Sequence, residues 1–169
     1  MSHPVIDLVL QRYSNALGPH ERMYRNHVFR CYNYQHLLLR TEVPDTAALA
    51  WVVHDLGIWT AGTMDYLHPS ADLADRLCSE FGIGDIDTVR TLVLDHHRIR
   101  PVADRLNETF RVADRIDLTR GWLRNDLERH QVLHIRAELP HLGFHGFLAR
   151  RIPLHALRNP SHPFPMLRW

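Results

Sequence analysis

Apolar residues recur at three- and four-residue intervals along most of this chain, and this spacing places them on one face of an α-helix. The first such stripe ends at Gly18 and consists of Val5, Leu8, Val9, Tyr13 and Leu17. No alternation of apolar and polar residues, which would indicate a β-strand, persists anywhere in the sequence. The sequence therefore predicts an all-α fold.

Start and stop signals divide the chain into separate helices. The predicted helices cover residues 5–17, 21–39, 47–56, 71–81, 85–97, 107–118, 122–138 and 141–150. Four prolines beyond residue 150 exclude one regular helix there. We therefore expect a single-domain bundle of about six to eight helices over residues 1–150. A Pro-rich C-terminal extension over residues 151–169 either packs on this bundle or is loosely attached to it.

Composition excludes several classes of protein. The chain has 169 residues, of which 45% are hydrophobic, and this suffices for one well-buried domain. Its formal net charge of +1 argues against general nucleic-acid binding and against binding to acidic membranes. Its apolar runs are shorter than the roughly 18 residues of a membrane-spanning helix. With no signal-peptide pattern and only two cysteines, a cytoplasmic protein is expected.

All 20 basic residues of the chain are arginine. A biased genome composition is the simpler explanation. The alternative is that arginines are gathered to bind phosphate through their planar, two-pronged guanidinium groups.

The strongest chemical signal is the pair His54-Asp55, which closes an apolar helix and precedes Gly57. A carboxylate at the end of a buried helix is costly unless a cation or hydrogen-bond donors pair with it. The helix C-terminus is itself partially negative, which makes an unpaired Asp55 less favourable still. A metal ion would resolve both problems. Gly57 would let the helix end loosen, so that both side chains could face one ion.

Three further elements carry ligand types in apolar surroundings. His27 lies in the middle of a helix, His96-His97 ends an apolar stripe, and Asp114 lies inside an otherwise apolar helix face. Each has a plainer interpretation taken alone: a core histidine, a helix-end hydrogen bond, or a pair with a neighbouring arginine. Together, on separate helices, they favour a divalent metal ion held in the core of a bundle.

These elements, in this order, resemble the HD-domain superfamily of metal-dependent phosphohydrolases. The likeness covers about residues 21–120, including the strings HDLG, HPSADLADRL, LVLDHH and RVADRID. It implies a helical bundle that binds one metal ion through His27, His54, Asp55 and Asp114. Many members hold a second ion, bridged by the HD aspartate. For that ion His68 matches one histidine ligand, and His96 or His97 matches the other.

The chain also departs from parts of the family. Several nucleotide-cleaving members have a histidine or glutamate three residues after the HD aspartate, where this chain has Ile58. The residue order is similar to that of small dinuclear members that hydrolyse dinucleoside polyphosphates. The run HVFRCYNY is similar to the cyanamide-hydratase-like branch, which uses one zinc ion to hydrate a nitrile.

The resemblance implies a hydrolase that cleaves a phosphate ester or anhydride of a small anionic substrate, a nucleotide being expected, with metal-activated water. His54 and Asp55 would be the catalytic residues. One or two divalent ions are expected, with Fe, Mn, Zn, Mg and Ni all compatible and iron or manganese favoured for a pair. Candidate phosphate ligands are Arg30, Arg98, Arg100 and Arg120. The alternatives are a di-iron oxygenase or zinc hydratase and a non-catalytic regulatory module, and a homodimer stays open.

Two other sets of side chains have competing interpretations. Histidines at roughly helical spacing form either a second metal patch or, as we favour, a solvated helix face; they are His130, His134, His141 and His145. Four tryptophans could stack on a nucleobase, although tryptophan in a small helical domain mostly serves a core or an interface. These are Trp51, Trp59, Trp122 and Trp169.

Overall fold

The computed structural model describes residues 3–168, and within that range the chain is all-helical, as predicted. The helices are α1 (Pro4–Arg12), α2 (Ser14–Leu17), α3 (Glu21–Leu39), α4 (Asp45–Val53), α5 (Gly57–Thr60), α6 (Leu67–Phe81), α7 (Ile86–Asp95), α8 (Arg105–Leu118), α9 (Arg129–Glu138) and α10 (Phe144–Arg158). A short 3₁₀ turn, Gly18–His20, joins α2 to α3. No helix in the described range is long and apolar enough to cross a membrane.

Helix α4 forms the centre of the bundle. All of its residues from Ala47 to Val53 are buried, so that it has no polar face. Such a helix must be covered on every side, and α1, α3, α6 and α7 pack around it. The His54-Asp55 pair at its C-terminal end therefore lies deep in the protein.

Some predicted helix limits differ from the observed ones. The predicted helix 5–17 is divided at Tyr13 into α1 and α2. The predicted helix 122–138 begins only at Arg129, because turns occupy residues 119–128 and Arg120 and Asn125 have positive φ angles. Glu128 then caps α9 in a reciprocal arrangement with Gln131.

The C-terminal region is more helical than predicted. Helix α10 continues to Arg158 with Pro153 inside it, so the predicted limit at residue 150 falls within a helix. Proline removes the hydrogen bond to the carbonyl of Ala149, but both residues are exposed and water can serve that carbonyl. The segment after α10 packs on the bundle, since Met166 is buried and the Arg168 carbonyl accepts from the Ile99 N–H at 2.8 Å. Trp169 lies outside the described residues.

Gly57 is required for close packing. Its φ angle is not positive, so the turn does not need the conformational freedom of a glycine at this position. A Cβ atom here would lie 2.7 Å from the Tyr66 carbonyl oxygen and 2.8 Å from Ser70 Oγ, which already accepts from the Gly57 N–H.

We expect Gly57→Ala to lower the free energy of unfolding by about 1–3 kcal/mol, because the backbone of α6 cannot yield easily. Gly146→Ala is the matched control: it lies in α10 with open space around it, and should be stabilising by about 0.5–1 kcal/mol. Urea denaturation of both variants measures the difference. Equal stability of Gly57→Ala and the unaltered protein would contradict this account of the turn.

Candidate metal centre

Four parts of the fold bring histidine and aspartate side chains to one buried place. Helix α3 supplies one histidine, the turn after α4 a histidine and an aspartate, the segment after α7 two histidines, and α8 an aspartate. These are His27, His54, Asp55, His96, His97 and Asp114. All are buried except His97, whose side chain is 14% exposed. Apart from His68, this is the predicted ligand set.

The turn after α4 explains how two consecutive residues can face one point. Adjacent residues on a regular helix point about 100° apart. Here the backbone hydrogen bonds span three residues where those of a regular α-helix span four. They run from the Leu56 N–H to the Val53 carbonyl and from the Ile58 N–H to the Asp55 carbonyl, each at 3.0 Å. The expected loosening of the helix end is therefore present, and it directs both His54 and Asp55 toward the cluster.

The first group of ligand atoms centres on two facing histidines. His27 Nε2 lies 3.1 Å from His54 Nε2, and Asp55 Oδ2 lies 3.5 Å from both. Asp114 Oδ1 is 3.8 Å from His27 Nε2. We call these four residues site A.

The hydrogen bonds of the outer ring nitrogens determine what the inner ones offer. His27 Nδ1 lies 2.7 Å from Asp117 Oδ2, and His54 Nδ1 lies 2.7 Å from the Trp51 carbonyl oxygen. Both partners accept only, so each Nδ1 carries a proton; when both rings are neutral, the two Nε2 lone pairs face each other. This contact is unfavourable unless a proton or a metal ion lies between the two nitrogens.

A second group of ligand atoms lies on the other side of the two carboxylates, and we call it site B. His96 Nε2 is 3.5 Å from Asp55 Oδ1, and His97 Nδ1 is 3.4 Å from Asp114 Oδ2. The sequence left His96 and His97 as alternatives, but the structure brings both here. Asp55 and Asp114 each direct one oxygen to site A and the other to site B.

Several of these atoms have no hydrogen-bond partner although they are buried: His96 Nε2, Asp55 Oδ1 and both carboxylate oxygens of Asp114. An unsatisfied buried polar atom costs about 1–3 kcal/mol. A bound cation would satisfy all four of these atoms. The ligand atoms of His27, His54 and Asp55 lie within 4.8 Å of one another, as do those of Asp55, His96 and His97, so each group could hold a metal ion.

The pKa shifts differ from one ring of the centre to the next. Burial opposes protonation of His27, but Cys31, Asp117 and Asp55 outweigh it and hold the pKa of that ring well above its usual value. Burial lowers the pKa of His54 to about 3, which keeps its ring neutral. Burial also raises the pKa of Asp114 to about 7, although His96 and His27 oppose this rise. Burial would raise the pKa of Asp55 too, but His54, His27 and His96 outweigh it and hold that pKa well below its usual range. A bound ion would keep both carboxylates ionised.

Cys31 also lies close to His27, with Sγ 3.7 Å from Nδ1. A site made of His27, Cys31 and Asp114 would be sterically feasible. Burial raises the pKa of the Cys31 thiol to about 12, so it stays protonated and is a poor ligand. The available donors are therefore nitrogen and oxygen atoms.

Arg30 supports the centre from behind, which corrects its prediction as a phosphate ligand. Its side chain is fully buried, and Nε and Nη2 donate to the two oxygens of Asp117 at 2.6 and 2.8 Å. Nη1 donates to the carbonyls of Leu139 and Pro140. Asp117 in turn accepts from His27, so Arg30 fixes that histidine and is unavailable to substrate. Asp117 was not predicted as a site residue, although it lies one turn after Asp114.

The other three predicted phosphate ligands stay predictions. Arg98 pairs with Asp95 at 3.5 Å, and Arg100 and Arg120 are exposed. His68 is corrected as well: it is exposed, and its Nε2 lies 3.4 Å from Arg168 Nη2. It lies on the outer face of α6, while Leu67 and Ser70 lie on the buried face of that helix.

Two aromatic residues that sequence analysis missed complete the centre. The Tyr66 hydroxyl lies 2.8 Å from His97 Nε2 and fixes the orientation of that ring. The Phe144 ring stacks on the His27 ring with centroids 4.1 Å apart, so α10 closes one side of the cluster. Nothing local in the sequence marks Phe144, because it is distant from His27 along the chain.

The remaining histidines divide between two environments. His130 and His134 are exposed on α9, as expected for a solvated helix face. His145 Nε2 donates to the Asp117 carbonyl at 3.1 Å, and its ring contacts that of His141. None of these four belongs to a group that could hold a metal ion in the described part of the chain.

No family model, no curated protein and no solved structure matches this chain. The likeness to the HD superfamily thus rests on the residues of segment 21–120 alone. The geometry establishes that two groups of histidine and aspartate side chains could each hold a metal ion: His27, His54 and Asp55, and Asp55, His96 and His97.

Proposed function

We propose that this protein is a metal-dependent phosphohydrolase of the HD superfamily. It would use two divalent ions to cleave a phosphate ester or anhydride of a small molecule, a nucleotide being the expected substrate. The observation that carries this proposal is the convergence of buried, unpartnered lone pairs on both sides of Asp55 and Asp114. Two shared carboxylates flanked by histidines suit a pair of ions better than a single ion.

The residues divide between two ions. His27 and His54 would bind the ion of site A, and His96 and His97 would bind that of site B, with Asp55 and Asp114 between them. A donor set of nitrogen and oxygen suits iron or manganese and also accommodates Zn, Ni or Mg. When bound, such ions lower the pKa of a coordinated water and neutralise charge on phosphoryl oxygens.

Residues around the centre orient the histidine rings and keep water away from one side of it. Asp117 accepts from His27 Nδ1, and the Trp51 carbonyl accepts from His54 Nδ1, so both rings present a free Nε2. Tyr66 holds His97, which has the most exposed side chain of the cluster and thus marks the side open to substrate. Phe144 covers the opposite approach beside His27.

A second candidate function is an HD-type oxygenase with two iron ions. It is favoured by the same absence of a thiolate ligand, because Cys31 remains a neutral thiol. Histidine and carboxylate ligands with open positions are typical of iron sites that activate oxygen. Oxygen consumption by the iron-loaded protein separates this function from hydrolysis.

The test is metal content per chain together with hydrolysis of dinucleoside polyphosphates, using Asp55→Asn. Asp65→Asn is the matched control, since Asp65 is an exposed aspartate on the loop that follows. We expect two equivalents of metal in the unaltered protein and the control, and loss of metal in Asp55→Asn. Because losing even a residue that supports a ligand costs about 10–100-fold in activity, hydrolysis by Asp55→Asn should fall by more than that.

Other outcomes would redirect or overturn the proposal. One equivalent of zinc would favour a hydratase with site A alone. Iron with oxygen uptake and no hydrolysis would favour the oxygenase. Folded protein that takes up no metal on reconstitution would leave a regulatory binding module.

A further inference from the structure

A surface cavity of about 240 Å³ lies where the loop after α8 meets α9. Four arginines line it: Arg120, Arg124, Arg129 and Arg136. No carboxylate lines the cavity, and none of the metal-centre residues does. It is therefore a basic site separate from the one described above.

None of the four guanidinium groups forms an ion pair within the described range. Arginine ion pairs occur elsewhere in the described range, but none involves these four. Arg136 Nη1 donates to the Arg120 carbonyl at 2.8 Å, while Arg136 Nε is buried without a partner. In a chain of net charge +1, four unpaired like charges around one small cavity repel each other. An anion bound among them would relieve this repulsion.

Trp122 lies at the same cavity and is 81% exposed. An indole ring is normally buried, because burial of its large apolar surface is stabilising. An exposed indole beside a cationic pocket presents a flat face on which a nucleobase can stack.

The loop that carries Arg120 and Trp122 is held firmly against α9. Arg120 and Gly121 have φ angles of 53° and 76°, and the Gly121 N–H donates to the Ile116 carbonyl at 2.7 Å. A Cβ on Gly121 would lie only 2.5 Å from Val132 Cγ1. The tryptophan and the arginines of the two segments are thus kept in fixed relation to each other.

We propose that this cavity binds a nucleoside phosphate, with the phosphates among the four arginines and the base stacked on Trp122. The volume suits the phosphate groups of one nucleotide, and the low net charge offers no extended basic face for a nucleic-acid strand. The proposal is independent of the metal centre and of the reaction proposed there.

The test uses calorimetric titration of the full chain with ADP and, separately, with pyrophosphate, in the presence of a chelator so that metal-bound phosphate does not contribute. We expect Arg124→Ala/Arg129→Ala to raise the Kd for both ligands more than tenfold. Trp122→Ala should raise the Kd for ADP several-fold and leave that for pyrophosphate unchanged. Arg76→Ala, an exposed arginine on α6 outside the cavity, is the control and should change neither.

Three results would overturn the proposal. The first is no binding of ADP by the unaltered protein, with circular dichroism showing it folded. The second is binding that survives both cavity variants. The third is binding of a single-stranded RNA oligomer far more tightly than ADP, which would make the patch a nucleic-acid surface.

Discussion

Arg30→Ala should lower the free energy of unfolding by about 3–5 kcal/mol. Asp117 is fully buried and accepts hydrogen bonds from Nε and Nη2 of Arg30. Without Arg30, its carboxylate would lose this compensating positive charge. The same substitution removes the donor that binds the carbonyls of Leu139 and Pro140 and so ties the segment before α10 to α3.

Two variants isolate this effect in urea denaturation. Arg100→Ala removes an exposed arginine and should change the free energy of unfolding by no more than about 0.5 kcal/mol. Replacing Arg30 and Asp117 together by methionine and leucine should recover part of the stability, since no buried charge remains. An Arg30→Ala protein as stable as Arg100→Ala would show that this ion pair does not hold the core.

The pH dependence of stability provides an independent check on the same pair. Burial opposes ionisation of Asp117, but hydrogen bonds from Arg30 and His27 outweigh it and hold its pKa below the usual range. A carboxylate whose pKa is lowered by folding stabilises the protein above its unfolded pKa of about 4, and this contribution is lost as pH falls below that value. Arg30→Ala should therefore show a shallower loss of stability between about pH 4 and pH 2 than the unaltered protein.

The sequence was sufficient for the parts of the site that depend on local pattern. The limits of α3 and the candidate ligands on α3, after α4 and on α8 follow from periodicity and from the residue types set into apolar faces. Arg30 could not be placed in this way, because a guanidinium binds a phosphate and a carboxylate by the same geometry. Only the fold, which brings Asp117 beside it, decides between them.

The second histidine pair shows a similar limit. The resemblance called for one histidine at this point, and the sequence left His96 and His97 as alternatives, with His96 favoured because it falls on the stripe of Val89, Leu92 and Val93. Helix α7 ends at Asp95, so both lie beyond the regular helix and both face the carboxylates. The prediction of His68 as a ligand was wrong because His68 lies within α6. The helix directs its side chain to the outer face, away from the carboxylates.

Without metal, Asp114→Asn should be at least as stable as the unaltered protein. With metal bound, it should be less stable than the unaltered protein. Both oxygens of Asp114 are buried without partners, and burial raises its pKa to about 7. With a chelator present at pH 8, the neutral amide removes an uncompensated buried charge, so the variant should be at least as stable as the unaltered protein. Thermal or urea unfolding in EDTA measures this first half of the prediction.

With Mn²⁺ at a hundredfold excess over its Kd, the unaltered protein should gain about 2.7 kcal/mol for each ion bound, because the ions bind the folded state alone. Asp114→Asn should gain much less, since both sites lose a carboxylate oxygen, while the exposed Asp65→Asn control should gain as much as the unaltered protein. An equal gain in Asp114→Asn would remove Asp114 from the ligand set. If the variant is less stable than the unaltered protein in EDTA, Asp114 stabilises the metal-free fold. The expected reversal instead means that this carboxylate destabilises the empty protein and is retained for the ion.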